Sequence, residues 1–105
     1  MIRFAVSRSD GHYTGFTCEG HAGFGEEGQD IVCSAVSALT INTVNSIEAL
    51  TEDGFEVVQS EDGGYLKLTL TDVPSDSTTL LMDSLVLGIQ NISESYGEDY
   101  IQIIE

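Results

Sequence analysis

Hydrophobic residues follow two different periods along this chain, and the alternation between the two is what most constrains its fold. Over residues 2–7 every second residue is apolar, which is typical of a half-buried strand. Over residues 31–51 apolar residues recur at spacings of three and four, which is typical of an amphipathic helix. Strands and helices of this kind bury their apolar faces by packing in layers. The alternation therefore predicts an α+β fold.

Turn and capping residues divide the chain into seven elements. Asp10-Gly11 predicts a hairpin between the first strand and a return strand over residues 13–18. The other predicted elements are a helix over 31–51, strands over 55–59 and 65–70, a helix that begins near Ser75 and ends at a glycine cap, Gly97, and a strand over 100–104. The order is ββαββαβ, and a length of 105 residues suits one domain. We therefore expect a single two-layer domain over residues 1–105, with a mostly antiparallel sheet packed against two helices.

Each predicted helix carries a stripe of residues that would face the core. The stripe is Val32, Val36, Leu39, Thr43, Ile47 and Leu50 in the first helix, and Leu81, Leu85, Ile89, Ile92 and Tyr96 in the second. The second helix is apolar over more than one face across residues 80–89. This surplus predicts either a homodimer surface or a sheet that curls around the helix, and the sequence leaves both open.

The chain is strongly acidic, and this limits the kinds of partner that it is expected to bind. Arg3, Arg8 and Lys67 are outnumbered by 18 acidic residues, which gives a formal net charge of −15. Direct binding to nucleic acid or to an anionic membrane is disfavoured, because clustered Lys and Arg are what bind phosphate groups. A basic protein or peptide would be attracted by this field. Acidity that serves solubility alone explains the charge equally well.

The N-terminal sequence predicts a cytoplasmic protein. The first residues lack an apolar run of signal-peptide length. We also expect no segment with the ~20 apolar residues of a membrane span. The two cysteines of a cytoplasmic chain are expected to be reduced, which leaves them available for packing, metal binding or catalysis.

Potentially reactive side chains concentrate in residues 18–37. If Asp30 is the N-cap of the first helix, Cys33 occupies its third position, where unpaired N–H groups and the helix dipole favour a thiolate. The same N–H groups are able to hold the oxyanion of a tetrahedral intermediate. The charge of Asp30 opposes the thiolate, so its expected roles are to cap the helix and to orient His21. The pattern predicts a cysteine nucleophile.

His21 is the predicted general base. It lies 12 residues before Cys33, in the glycine-rich segment GHAGFGEEG (residues 20–28). We expect this segment to be a mobile loop that folds back and brings the imidazole to the thiol. Ser37 lies one helical turn after Cys33, on the same face, where it would hydrogen-bond into the site.

Two structural interpretations compete with catalysis at this point. A single helix cysteine is more often a small buried apolar residue than a nucleophile, and Cys18, at the end of a half-buried strand, is expected to pack in the core. His12, Cys18, His21 and Cys33 are also the residue types of a zinc site. However, only Cys18 and His21 have a ligand-like spacing, and His12 is expected to be exposed beside the hairpin turn. A chain of this length also needs no metal in order to fold.

One stretch of the sequence resembles a known protein family. Gly20-His21-Ala22, the glycine-rich loop and then Asp30-Ile31-Val32-Cys33-Ser34-Ala35-Val36-Ser37 are similar to the Prp family of ribosomal-processing cysteine proteases. The resemblance covers nearly the whole chain, and Ser34 stands where a small residue, often alanine, is expected. It implies a protease that removes a short N-terminal extension from the large-subunit ribosomal protein numbered twenty-seven, as in Firmicutes. It also implies a homodimer that needs no metal or cofactor.

The resemblance implies roles for individual residues as well. His21 matches the catalytic histidine and Cys33 the nucleophile, while Asp30 and Ser37 match supporting polar positions. The segment that would open for substrate and order over it contains Gly20, Ala22, Gly23, Phe24, Gly25 and Gly28. The family cleaves after paired aromatic residues, and the candidates to line the pocket for them are Tyr13, Phe16 and Phe24. The negative net charge of the chain would attract a basic ribosomal substrate.

The alternative function is that of a non-catalytic acidic module that binds basic ribosomal proteins during assembly. Such a module would use the same charge and the same loop, but it would not need the thiol of Cys33. The two functions therefore differ in whether Cys33→Ala abolishes them.

Overall fold

The computed structural model describes residues 1–26 and 30–105, and its elements follow the predicted order ββαββαβ. The strands are β1 (Ile2–Ser9), β2 (His12–Glu19), β3 (Phe55–Gln59), β4 (Tyr65–Leu70) and β5 (Ile101–Ile104). The helices are α1 (Ile31–Leu50) and α2 (Asp76–Tyr96). The predicted bounds of β3 and β4 are confirmed, and the other elements differ from the prediction by one or two residues at an end.

The five strands form one sheet in the order β3-β4-β2-β1-β5. The pairs β3–β4, β4–β2 and β2–β1 are antiparallel, and β1–β5 is parallel. The parallel pair is possible because α2 carries the chain back across the sheet before β5 begins. The predicted mostly antiparallel sheet is thus confirmed. In the β2–β4 pair Glu19 is opposite Tyr65, so the end of β2 lies beside the turn between β3 and β4.

The core lies between one face of the sheet and the two helices. Its largest fully buried side chains are Phe4, Phe16, Ile47, Leu68, Met82, Ile89, Val32, Val36 and Thr78. The predicted stripe of α1 is confirmed at most positions, but Leu50 is 73% exposed because it is the last residue of the helix. Thr40 is buried instead. Its hydroxyl donates to the carbonyl oxygen of Val36, which satisfies the polar atom and leaves the methyl group free to pack.

Helix α2 keeps an apolar surface that the rest of the chain does not cover. Leu85 and Ile89 of the predicted stripe are buried, whereas Tyr96 at the end of the helix is 40% exposed. Leu80 is 69% exposed and Leu87 is 58% exposed. The sheet therefore does not curl around this face of α2, and a homodimer surface here remains a prediction.

Helix α1 comes closer to a membrane-spanning segment than the sequence led us to expect. Among the described residues it is the one helix long and apolar enough to cross a membrane by length and composition. The core helix of a soluble protein meets the same two criteria.

Candidate active site

The N-terminus of α1 is capped as the sequence predicts. The Oδ1 atom of Asp30 accepts hydrogen bonds from the backbone N–H groups of Val32 and Cys33, both at 3.0 Å. Asp30 has an extended backbone, with φ −79° and ψ 107°, which is the usual conformation of an N-cap residue. Cys33 consequently occupies the third position of the helix, and that prediction is confirmed.

The second oxygen of Asp30 holds the glycine-rich loop. Its Oδ2 atom accepts from the N–H groups of Phe24 at 2.9 Å and Gly25 at 3.2 Å. Burial alone would raise the pKa of Asp30, but the four N–H donors outweigh it and hold that pKa below its ordinary value. Among the described residues no hydrogen bond joins Asp30 to His21. The carboxylate therefore orients the loop that follows His21, and its predicted role in orienting the imidazole itself stays a prediction.

The thiol of Cys33 is half-buried beneath the same loop. Its Sγ atom accepts a hydrogen bond from the backbone N–H of Ala22 at 3.1 Å. Burial raises the pKa of Cys33, the Ala22 N–H lowers it, and the nearby charge of Asp30 raises it again, so the net shift is upward. The helix N-terminus was expected to favour a thiolate, whereas burial and the charge of Asp30 raise the pKa of Cys33 and so favour the neutral thiol.

His21 reaches the site because its backbone is anchored on both sides. The Met1 nitrogen donates to the His21 carbonyl oxygen at 2.6 Å, and the N–H of Gly20 donates to the Gly64 carbonyl oxygen at 2.8 Å. Gly20 has a φ of +94°, and a Cβ there would lie 2.5 Å from the Met1 carbonyl oxygen, so this position requires glycine. The imidazole is exposed and lines the same cavity as Cys33.

This cavity has a volume of about 520 Å³ and is formed mainly by three parts of the chain, with Ile2 of β1 beside them. Helix α1 forms one wall, with Cys33, Ser34, Ser37, Thr40 and Ile41. The loop before α1 forms the second wall, with Gly20, His21, Gly23, Gly25 and Asp30. Strand β2 and the β3–β4 hairpin form the third wall, with Cys18, Gln59, Asp62, Gly63, Tyr65 and Leu66. Ser37 faces the cavity as predicted and is exposed. The hairpin residues were missed by sequence reasoning, because only the pairing of β2 with β4 brings them here.

The aromatic residues proposed to line the pocket are placed elsewhere. Phe16 is 1% exposed and Tyr13 is 5% exposed, so both are core residues. The Tyr13 hydroxyl donates to Asp83 on α2. Phe24 is 40% exposed, and its ring packs edge-on against Tyr96 and Tyr100, with centroids 5.5 and 5.1 Å apart. The prediction is therefore wrong for Tyr13 and Phe16, and Tyr65 is the aromatic residue that lines the cavity.

The remaining predicted loop residues have different surroundings. Ala22 is only 4% exposed, which fixes its backbone N–H against the thiol. Gly23 and Gly25 line the cavity. Gly28 lies outside the described residues. The predicted opening and closing of the loop stays a prediction.

The zinc alternative receives no support from the described part of the chain. Within residues 1–26 and 30–105 no three His, Cys, Asp or Glu side chains are placed to hold a metal ion. Cys18 is half-buried against the core, as predicted, and burial raises its pKa to about 11. His12 is half-buried and lies opposite Ser9 at the start of β2, so the expectation that it would be exposed is wrong.

A half-buried thiol at a helix N-terminus, facing a cavity that an imidazole shares, is the arrangement expected of a thiol-dependent hydrolase. Residues 1–102 match the sequence model of the family described as Cysteine protease Prp, and the chain belongs to this family. It is therefore a cysteine protease.

Relatives and a solved structure agree with this assignment over nearly the full chain. The Ribosomal processing cysteine protease Prp of Staphylococcus aureus (strain Mu50) is 32% identical over 100 residues, which cover 94% of either chain. The Bacillus subtilis (strain 168) protein of the same name is 32% identical over 106 residues, covering 94% of this chain and 93% of that one. A crystal structure of S. aureus Prp with a covalently linked product peptide superposes with a TM-score of 0.93 at 30% identity, covering 99% and 98% of the two chains.

Proposed function

We propose that this protease removes the short N-terminal extension of the large-subunit ribosomal protein numbered twenty-seven, with Cys33 as nucleophile and His21 as general base. The observation that carries the proposal is the shared cavity of the two side chains, one at the capped N-terminus of α1 and the other on the anchored loop. The names of the S. aureus and B. subtilis relatives support the ribosomal substrate class.

In this mechanism the reaction begins from a neutral thiol, the form that burial and Asp30 favour by raising the pKa of Cys33. His21 accepts the thiol proton as Sγ attacks the scissile carbonyl carbon, and a tetrahedral oxyanion forms. The amine leaves with the proton from the imidazolium, and the acyl group remains on Sγ as a thioester. Water then attacks the thioester while His21 takes its proton, and the acid product and the Cys33 thiol are released. The cycle needs no metal or cofactor.

The oxyanion donor in this mechanism is the backbone N–H of Ala22. The N–H groups of Val32 and Cys33 are engaged by Asp30, so the first turn of α1 does not offer them. The N–H of Ala22 points at Sγ from 3.1 Å, next to the atom that forms the new bond. The Ala22 N–H is therefore able to shift its hydrogen bond from the sulfur to the developing oxyanion without rearrangement of α1.

The charge of the chain suits a basic substrate. The net charge of −15 attracts a Lys- and Arg-rich ribosomal protein and raises its association rate at low salt. The same charge opposes direct nucleic-acid binding. In this proposal the enzyme is cytoplasmic and works as a homodimer through the exposed face of α2 that includes Leu80 and Leu87.

The test is cleavage of a synthetic peptide that spans the N-terminal extension of the matching ribosomal protein. We expect the native chain to cut one bond, and Cys33→Ala and His21→Ala to cut none. Cys18→Ala is the matched control, because it removes the other thiol of the cavity and should cleave at a rate within about threefold of native.

Two results would count against the proposal. If the native chain binds the peptide but never cuts it, and Cys33→Ala binds equally well, the acidic binding module is the better account. If His21→Ala cleaves at the native rate, Cys33 remains the nucleophile but His21 is not the base.

A further inference from the structure

One carboxylate beside His21 has no part in the mechanism so far. Asp62 lies in the turn between β3 and β4 and lines the same cavity as His21 and Cys33. Its Oδ1 atom accepts from the Ser60 hydroxyl at 2.7 Å and from the Gly64 N–H at 2.8 Å. These two bonds fix the direction of the carboxylate. Among the described residues none donates to the second oxygen, Oδ2, which is therefore available to another group.

The sheet itself holds this turn against the histidine. The β2–β4 ladder ends with Glu19 opposite Tyr65, and the N–H of Gly20 then donates to the carbonyl of Gly64 at 2.8 Å. His21 follows directly in the chain. Backbone hydrogen bonds thus hold the segments that carry His21 and Asp62 next to each other.

The two groups border the same space without a direct bond between them. A Cβ atom built on Gly64 would lie 3.2 Å from His21 Nε2 and 3.2 Å from Asp62 Oδ1, so both atoms face the space that glycine leaves empty. Among the described residues no hydrogen bond or ion pair joins them, so Asp62 acts on the imidazole through its charge. The Ser60 hydroxyl and the Gly64 N–H hold the pKa of Asp62 below its ordinary value, and a protonated His21 lowers it further. Asp62 therefore stays ionised and sits on the Nε2 side of the ring.

We propose that Asp62 is a positioning residue for His21. Its carboxylate faces Nε2 and leaves Nδ1 as the nitrogen that takes the proton of Cys33. It also stabilises the imidazolium that forms when that proton arrives. The proposal rests on the proposed function, in which His21 is the base. Asp30, the other carboxylate that lines the cavity, accepts from four backbone N–H groups, and these bonds direct it toward the loop and the helix N-terminus.

Asp62→Asn is the sharpest variant, because the amide oxygen still accepts from Ser60 and Gly64 while the charge is lost. We expect kcat for peptide cleavage to fall about fivefold with KM within about twofold of native, since the pair is exposed and its energy is modest. Asp62→Glu should recover at least half of the loss. Glu61→Gln is the control, because it removes a charge from the same turn and should leave kcat unchanged.

A second readout does not depend on activity. The chain has two histidines, so the ring ¹⁵N signals of His21 and His12 are readily distinguished. In Asp62→Asn the His21 signals should move and those of His12 should not, and Glu61→Gln should move neither. Unchanged His21 signals together with native kcat in Asp62→Asn would overturn the proposal. An equal loss of kcat in Glu61→Gln would also overturn it, since the effect would then be general electrostatics.

The same experiments separate this inference from the proposed function. If His21→Ala retains native cleavage, the proposed base is wrong and the role of Asp62 fails with it. If His21→Ala is inactive while Asp62→Asn has native kcat and native His21 signals, only the role of Asp62 is wrong.

Discussion

The two helices begin with the same capping device, yet only one of them carries a reactive group. Each N-cap residue is extended, and its side chain accepts from the N–H of the third helical residue, which is Cys33 in α1 and Thr78 in α2. Thr78 is fully buried and its hydroxyl donates to Thr51. Cys33 is half-buried and faces a cavity. A helix N-terminus therefore becomes a site only where the surrounding chain leaves room in front of it.

The two caps also differ in the segments of the chain that they connect. Asp30 joins α1 to the loop that carries Phe24 and Gly25, within the site. Ser75 is itself held by Asp53, whose Oδ2 accepts from the Ser75 N–H at 2.9 Å and from its hydroxyl at 2.7 Å. Asp53 does not line the cavity. We therefore expect changes at the α1 cap to affect both catalysis and folding, and changes at the α2 cap to affect folding alone.

Asp30→Ala should have the largest effect among the changes that compare the two helix ends. It removes the acceptor of four backbone N–H groups, releases the loop and moves the Ala22 N–H away from Sγ. We expect kcat/KM to fall about a hundredfold or more, because small displacements at a reacting centre are costly. The free energy of unfolding should fall by about 2 kcal/mol. Peptide cleavage and urea unfolding measure the two losses. Cleavage within threefold of native would show that the loop does not depend on Asp30.

The second largest effect that we expect is a difference between the two cysteines in their rate of reaction with iodoacetamide. The thiolate is the reactive form, and the pKa of Cys18 is about 11, so Cys33 should be labelled about tenfold faster at pH 8. Because the pKa of Cys33 is itself raised, its labelling rate should still climb above pH 9 in the enzyme without substrate. Mass spectrometry of samples quenched between pH 6 and 11 gives both rates. A Cys33 rate that levels off below pH 8 would mean that the thiolate is the resting form.

Ser75→Ala should have the smallest effect and none on catalysis. It removes the cap of α2 and one acceptor for the Thr78 N–H, so the free energy of unfolding should fall by about 1 kcal/mol. Cleavage by the folded variant should match that of the native chain. A tenfold loss of kcat at unchanged KM would contradict the separation between the two helix ends.

Much of the fold follows from local patterns, and the exceptions are residues whose surroundings depend on distant parts of the chain. The strands β3 and β4 were predicted with correct bounds, because alternation and the glycine turn between them are short-range signals. Leu50 was wrongly assigned to the core, since helical spacing does not tell where the sheet below a helix ends. Tyr13 and Phe16 were wrongly assigned to the pocket, because aromatic content near a reactive residue does not show which face of a strand points to it.

The sequence by itself determined the element order, the cap at Asp30 and the position of Cys33, because these depend on interactions between residues a few positions apart. Only the tertiary structure decided that the Ala22 N–H meets Sγ, that Asp30 and burial together raise the pKa of Cys33, and that the β3–β4 turn places Asp62 on the same cavity as His21. Asp62 and His21 are far apart in sequence, and the ladder between β2 and β4 brings them together. The charge, burial and hydrogen bonding of a side chain are sums over such distant neighbours, which a local pattern does not contain.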